Sequence, residues 1–160
     1  MRRSRQVKAR DPLDSLRGLA LVPGFVEMAE SALERVSLCR RRLTADPSID
    51  TSADLLDALS EFADVLPRHA LDARASALDE AIRVGLELPA DDLAHAGNLG
   101  HVLEQRGQLA ATAGDVELAR RCWETALERY RVLPGYADEG GWRTEWVAGV
   151  ESLLATLPAR

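Results

Sequence analysis

Three histidines carry most of the chemistry that this sequence could perform. Each has a carboxylate three residues away: His69 before Asp72, Asp92 before His95, and His101 before Glu104. Side chains three apart share one face of a helix, so each pair can meet, and two such pairs brought together would offer a metal four nitrogen and oxygen ligands. His95 and His101 are six apart and do not stack on one face. There is no HExxH, and no ExxH pairing of the di-iron kind. A hydrogen-bonded surface histidine is the commoner outcome of this spacing, so no metal and no cofactor are expected. Ser, Cys and His form no recognisable nucleophile signature. The glycine-rich stretch "GYADEGG" lacks the lysine and the strand-to-helix setting of a phosphate loop. The expectation is a non-enzymatic protein.

Composition narrows the classes further. The 160 residues suit one domain, with 46% hydrophobic and 29% charged residues, the balance of a soluble globular chain. "MRRSRQVKAR" holds Arg2, Arg3, Arg5, Lys8 and Arg10 and no acid, so 15 basic and 26 acidic residues remain outside it, a net −11. An acidic body disfavours nucleic-acid binding, which needs clustered cations; only the basic tail, residues 1–10, retains that option. The domain proper is expected over residues 11–160. Lys8 is the only lysine beside 19 arginines, a bias that suggests a GC-rich bacterial genome. Cys39 and Cys122 form no CxxC motif and fit buried free thiols in a reducing cytoplasm. "GLALVPGFV" is too short and too broken for a signal-peptide core, and no apolar run approaches the roughly 20 residues of a membrane span.

The elements that must position these residues read as helices throughout. "DPLDSLRGLALV" predicts a short helix ended by Pro23 and Gly24. A second runs from about 25 to 43, with Phe25, Met28, Ala29, Ala32, Val36, Cys39 and Leu43 at helical spacing. Thr51 and Asp54 resemble a capping box opening the next, whose seam is Leu55, Leu59, Phe62 and Leu66 before Pro67. A fourth covers about 70 to 88, with Leu71, Ala75, Leu78, Ala81, Ile82 and Val84 mostly on one side. A fifth spans about 91 to 113 and includes Gly100 and Gly107, each costing about 1 kcal/mol against alanine. Gly107 can instead be read as a break. The unbroken helix is preferred, because Gly114 makes a better turn and Asp115 can cap the next helix. The sixth runs to about 132, and the last from about 142 to 157 with Trp142, Trp146, Val150, Leu153 and Leu157 on one face. No strand pattern occurs. The fold class is all-α, built from antiparallel hairpins.

Within residues 100–133, Gly107, the Gly114-Asp115 turn, and Ala119, Trp123 and Ala126 resemble the tetratricopeptide repeat, a 34-residue helix–turn–helix unit. Arg106 stands where that family usually places a leucine. Reading "NLG" at 98–100 as the motif instead moves the turn to Gly107. Residues 40–82 look like a second copy of bacterial style, with a Pro-containing loop before "DLLDALSEFA". The resemblance implies a short solenoid with 25–43 as a leading half-repeat and 142–157 as a C-terminal cap. It further implies a peptide groove lined by first helices, with His101, Glu104 and Gln108 on it. In the earlier hairpin Asp57, Glu61 and Asp64 join Asp54 in an acidic stripe that can face the same groove and suit a basic segment. The bland alternative is a solvated helix face.

The function implied is an adaptor that recruits a protein or peptide in the cytoplasm, with homodimerisation through an uncapped end a further option. A regulatory domain serving a separately encoded enzyme, such as a signalling ATPase or protease, is the second reading. A small helical enzyme or metal protein is the third. Trp142 and Trp146 are either a partner anchor or a cap over the core.

Overall fold

The computed structural model describes residues 24–133 and 141–159, and among them every regular element is a helix. They are α1 (Phe25–Ala45), α2 (Ile49–Val65), α3 (Leu71–Leu86), α4 (Leu93–Thr112), α5 (Val116–Arg131) and α6 (Trp142–Ala155). The basic tail and the helix expected before Pro23 lie outside the described residues.

Local chemistry explains most boundaries. Pro47 stops α1, and Ser48 then caps α2: its hydroxyl accepts from the Thr51 amide at 3.2 Å, while Thr51 Oγ1 accepts from the Ser48 amide at 3.0 Å. The capping box is therefore Ser48 with Thr51, not Thr51 with Asp54. The serine directly after the proline comes first in the chain and already satisfies the exposed donors. Leu66 is extended, as a residue before proline must be, and α2 ends there. Asp92 caps α4 by accepting from His95 N at 3.0 Å, and Asp115 caps α5 by accepting from Leu118 N at 3.0 Å. Gly114 takes φ of +82°, the left-handed turn its side-chain-free backbone permits. α4 runs unbroken across Gly100 and Gly107, which removes the alternative turn at Gly107.

Each helix packs on its sequence neighbour. Arg106 of α4 meets Asp79 of α3, while Leu99 lies beside Gly85, so these two run antiparallel. Gly107 opposite Trp123 and Gly100 opposite Tyr130 make α4 and α5 antiparallel as well. α2 and α4 lie parallel: Asn98 pairs with Asp57 and Gln105 with Asp64, the same 41-residue offset twice. Equivalent helices recur at 44 residues (Ile49 to Leu93) and 45 residues (Leu71 to Val116), longer than the 34 of a tetratricopeptide unit. The excess lies in the helices: α4 has 20 residues, and α2, α3 and α5 have 16 or 17.

One core runs through the stack. The predicted seam of α2 is buried throughout, as are Ala29, Ala32, Val36 and Cys39 of α1. Trp123 is 1% exposed, and Ala119 and Ala126 on the same helix are fully buried; the indole's room comes from Gly107 of α4, where a side chain would meet the ring. Both cysteines are buried and free. The ends are less complete. Met28 is 54% exposed on α1, Leu71 is exposed on α3, and of the expected face of α6 only Val150 is buried. No helix among the described residues is long and apolar enough to cross a membrane.

Candidate functional site

The first helices of successive hairpins, α2 and α4, present adjacent polar ridges. Asn98 donates to Asp57 Oδ1 at 2.6 Å, and one helical repeat further on Gln105 donates to Asp64 Oδ1 at 2.6 Å. Gln105 Nε2 also lies 2.7 Å from His101 Nε2, so the imidazole nitrogen accepts the second amide proton. His101 is 3.8 Å from Asp64. Asp57, Asp64 and His101 are thus gathered into one ladder with Asn98 and Gln105. Asp57 is solvent-exposed at its edge, and partial desolvation is the main force pushing its carboxyl above its ordinary range, with the Asn98 hydrogen bond and the Arg35 charge acting against it.

The other expected site residues go elsewhere. Glu61 turns to Arg35 of α1 in an ion pair, so it does not share the groove with Asp57 and Asp64. Arg35 is the reason: α1 packs on the opposite flank of α2 and claims that carboxylate. Gln108 lies one turn beyond Gln105, and both border a second depression with Arg68, Leu71 and Arg74. Glu104 does not pair with His101. It receives two donors from α5: Trp123 Nε1 donates to its carbonyl oxygen at 3.2 Å, and Tyr130 Oη donates to Oε1 at 3.0 Å. Burial and the adjoining carboxylate push the Tyr130 phenol well above its usual value, so it stays a neutral donor. Asp92 and His95 are a helix cap, their side chains 3.6 Å apart, and no group of three metal-ligand side chains assembles among the described residues.

Glu104 also opens onto a groove of about 770 Å³ between the first half of α4 and the start of α6. Its walls include Asp92, Leu93 and His101 from α4 and its cap, and Trp142 and Trp146 from α6. Tyr130 reaches it from below, its ring 5.0 Å from that of Trp146 and tilted 37°. Trp146 lies against Gly97, where any side chain would press on the indole. Trp142 is 44% exposed, a large aromatic left facing water. Of the sequence candidates, His101 and Glu104 line this groove. Spacing alone does not assign Asp92, Asn98 or Tyr130 to binding. Nothing in a linear pattern says that α6 packs on α5 with Trp146 set against Gly97 of α4, which is what joins Tyr130 and the start of α4 in one groove.

Comparisons with protein-family models, with curated proteins and with solved structures find no match to this chain. The functional reading therefore stands on the geometry of the α4–α6 groove and the α2–α4 ladder.

Proposed function

We propose that this protein is a non-enzymatic scaffold that holds a segment of another protein in the groove between α4 and α6, in the manner of tetratricopeptide-like adaptors. The observation that carries the reading is the aromatic wall. Trp142 is 44% exposed and Trp146 only partly buried, beside an open volume of about 770 Å³. Tryptophan on an otherwise polar surface is the residue type most enriched where binding energy concentrates. The helical hairpins supply the rigid frame that such a groove needs. The resemblance of residues 100–133 to that repeat supports the reading, while equivalent helices here recur at 44 and 45 residues instead of 34. The two buried free thiols suit a cytoplasmic location.

The test is to fill the groove without disturbing the core. Ala94 is exposed and lines it, so Ala94→Trp adds bulk at the entrance. Affinity capture from the source cell is expected to lose a specific partner in this variant and in Trp142→Ala, with thermal stability retained. A partner set identical to that of the unmodified protein would overturn the proposal.

A further inference from the structure

We infer that the α4–α6 groove takes an arginine side chain of the partner polypeptide, with the guanidinium stacked on the Trp142 and Trp146 indoles and paired with Glu104. This rests on the scaffold reading above and specifies the chemistry of the same site.

The charge of the lining decides the sign of the ligand. Asp92 and Glu104 contribute two carboxylates, and among the described residues the groove lining holds neither lysine nor arginine. An anionic segment would be repelled. A wholly apolar one would cover the Glu104 carboxylate and leave it without a counter-charge, which is strongly unfavourable. A cation satisfies both constraints. Tyr130 holds Glu104 by Oε1, and Oε2 has no partner among the described residues, so the carboxylate is oriented with an acceptor to spare. The aromatic rings then select among cations. An indole face attracts a positive charge through its quadrupole. The planar guanidinium also stacks on such a face while its edge donates to a carboxylate, and it sheds water more readily than the ammonium of lysine. The net charge of −6 on the chain steers a basic segment toward the protein from a distance.

The probe is acetyl-tetra-arginine amide, titrated into the full chain and followed by indole fluorescence and calorimetry. The neutral isostere tetra-citrulline serves as comparison. Expected are saturable binding with a change in tryptophan emission, and affinity at least roughly tenfold weaker for citrulline. Trp142→Ala, Glu104→Gln and Asp92→Asn are each expected to weaken the arginine probe roughly five- to tenfold. The amide introduced by Glu104→Gln can still accept from Tyr130, and the one introduced by Asp92→Asn can still cap α4, so the two charge variants keep the fold. Equal binding of the citrulline peptide, or undiminished binding by all three variants, would overturn the inference.

A full-length Arg2→Gln/Arg3→Gln/Arg5→Gln variant separates the sources of the arginine. Unchanged probe affinity supports a partner polypeptide. A tenfold gain would mean that the chain's own basic segment competes for the groove, and the assignment to a partner falls. The two readings also fail differently. If Ala94→Trp removes a cellular partner that Glu104→Gln and Asp92→Asn retain, the arginine assignment is wrong and the scaffold survives. If Ala94→Trp changes no partner, the scaffold reading itself is lost.

Discussion

The indole of Trp123 occupies the space that a side chain at Gly107 would fill: a Cβ there would stand 2.6 Å from Cδ1 and 2.7 Å from Cε2 of the ring. Two helical turns away, the phenol of Tyr130 takes the corresponding space at Gly100. The two aromatics are seven residues apart on α5 and the two glycines seven apart on α4, so the antiparallel pair meets as matched bulk and absence of bulk. Glu104 sits between the glycines and accepts from both rings.

Alanine at either glycine should therefore destabilise, although alanine is the better helix former. The helix preference is about 1 kcal/mol in favour of the change, and forcing a methyl group into a packed contact costs about 1–3 kcal/mol. The clash is with ring atoms of fully buried side chains, so the upper part of that range applies and the net effect is a loss. Chemical denaturation of Gly100→Ala and Gly107→Ala should show lowered midpoints. Pairing Gly107→Ala with Trp123→Leu should give a combined loss smaller than the sum of the two single losses, because the smaller side chain leaves room for the methyl group. Additive losses would mean that Trp123 is not what excludes the methyl.

Tyr130 ties stability to alkaline pH. Its phenol is held neutral in the folded protein, with a pKa raised above the ordinary 10.0. Stability from this group is therefore complete below pH 10 and falls as pH rises past it, because the unfolded phenol ionises first. Tyr130→Phe loses the hydrogen bond to Glu104, about 1 kcal/mol at neutral pH, and has no ionisation to suffer. The gap between the two proteins, measured by urea denaturation, should narrow from neutral pH to about pH 11. A gap that stays constant would contradict the raised phenol.

Arg106 is a largely buried cation of α4 with a partner on α3. Its guanidinium donates to both carboxylate oxygens of Asp79, at 2.7 and 3.3 Å, joining α4 to α3. The Arg106 side chain is only 14% exposed. Removing the acid alone leaves that cation half stranded, whereas replacing the arginine removes both the charge and its need. Asp79→Ala is expected to cost about 1–3 kcal/mol, and Arg106→Leu, which removes the charge and keeps an apolar stem, less than about 1 kcal/mol. Thermal melts of the two variants check the order; the reverse order would show that the ion pair itself supplies the stability.

Much of the frame is legible in the sequence, and the reasons are local. Gly114-Asp115 announces its turn through backbone freedom and capping chemistry, and Ala119, Trp123 and Ala126 announce their packing through size and spacing. The length of α4 is set by the absence of a better stop before residue 113. The site is less legible, because it depends on which helix flanks which. Asp57, Glu61 and Asp64 share a stripe by periodicity, yet α4 takes the outer two and α1 takes Glu61. The resemblance puts Glu104 on a groove lined by first helices; its carboxylate borders the α4–α6 groove and is anchored by a tyrosine 26 residues away, a contact no linear pattern displays. Ser48 is hidden as a cap because Thr51 and Asp54 satisfy the same three-residue rule one turn later.

Asp57 makes the final prediction, and it runs toward acid. Partial desolvation raises its carboxyl above the ordinary 3.8, and the Asn98 hydrogen bond offsets only part of that. A raised native pKa means that the folded protein holds this proton more tightly than the unfolded chain. The group's contribution to stability is then full below 3.8 and declines as pH rises through the native value. Asp57→Asn keeps an oxygen to accept from Asn98 and removes the charge that burial opposes. The variant should match the unmodified protein in acid and gain on it as pH rises to 7, seen as a widening difference in Tm across that interval. Asp57→Ala lacks the acceptor, leaves the Asn98 amide without its partner, and should fall below Asp57→Asn at every pH. If Asp57→Asn instead loses ground on raising the pH, the carboxylate is stabilised by its neighbours, and Asn98 with Arg35 outweighs the effect of burial.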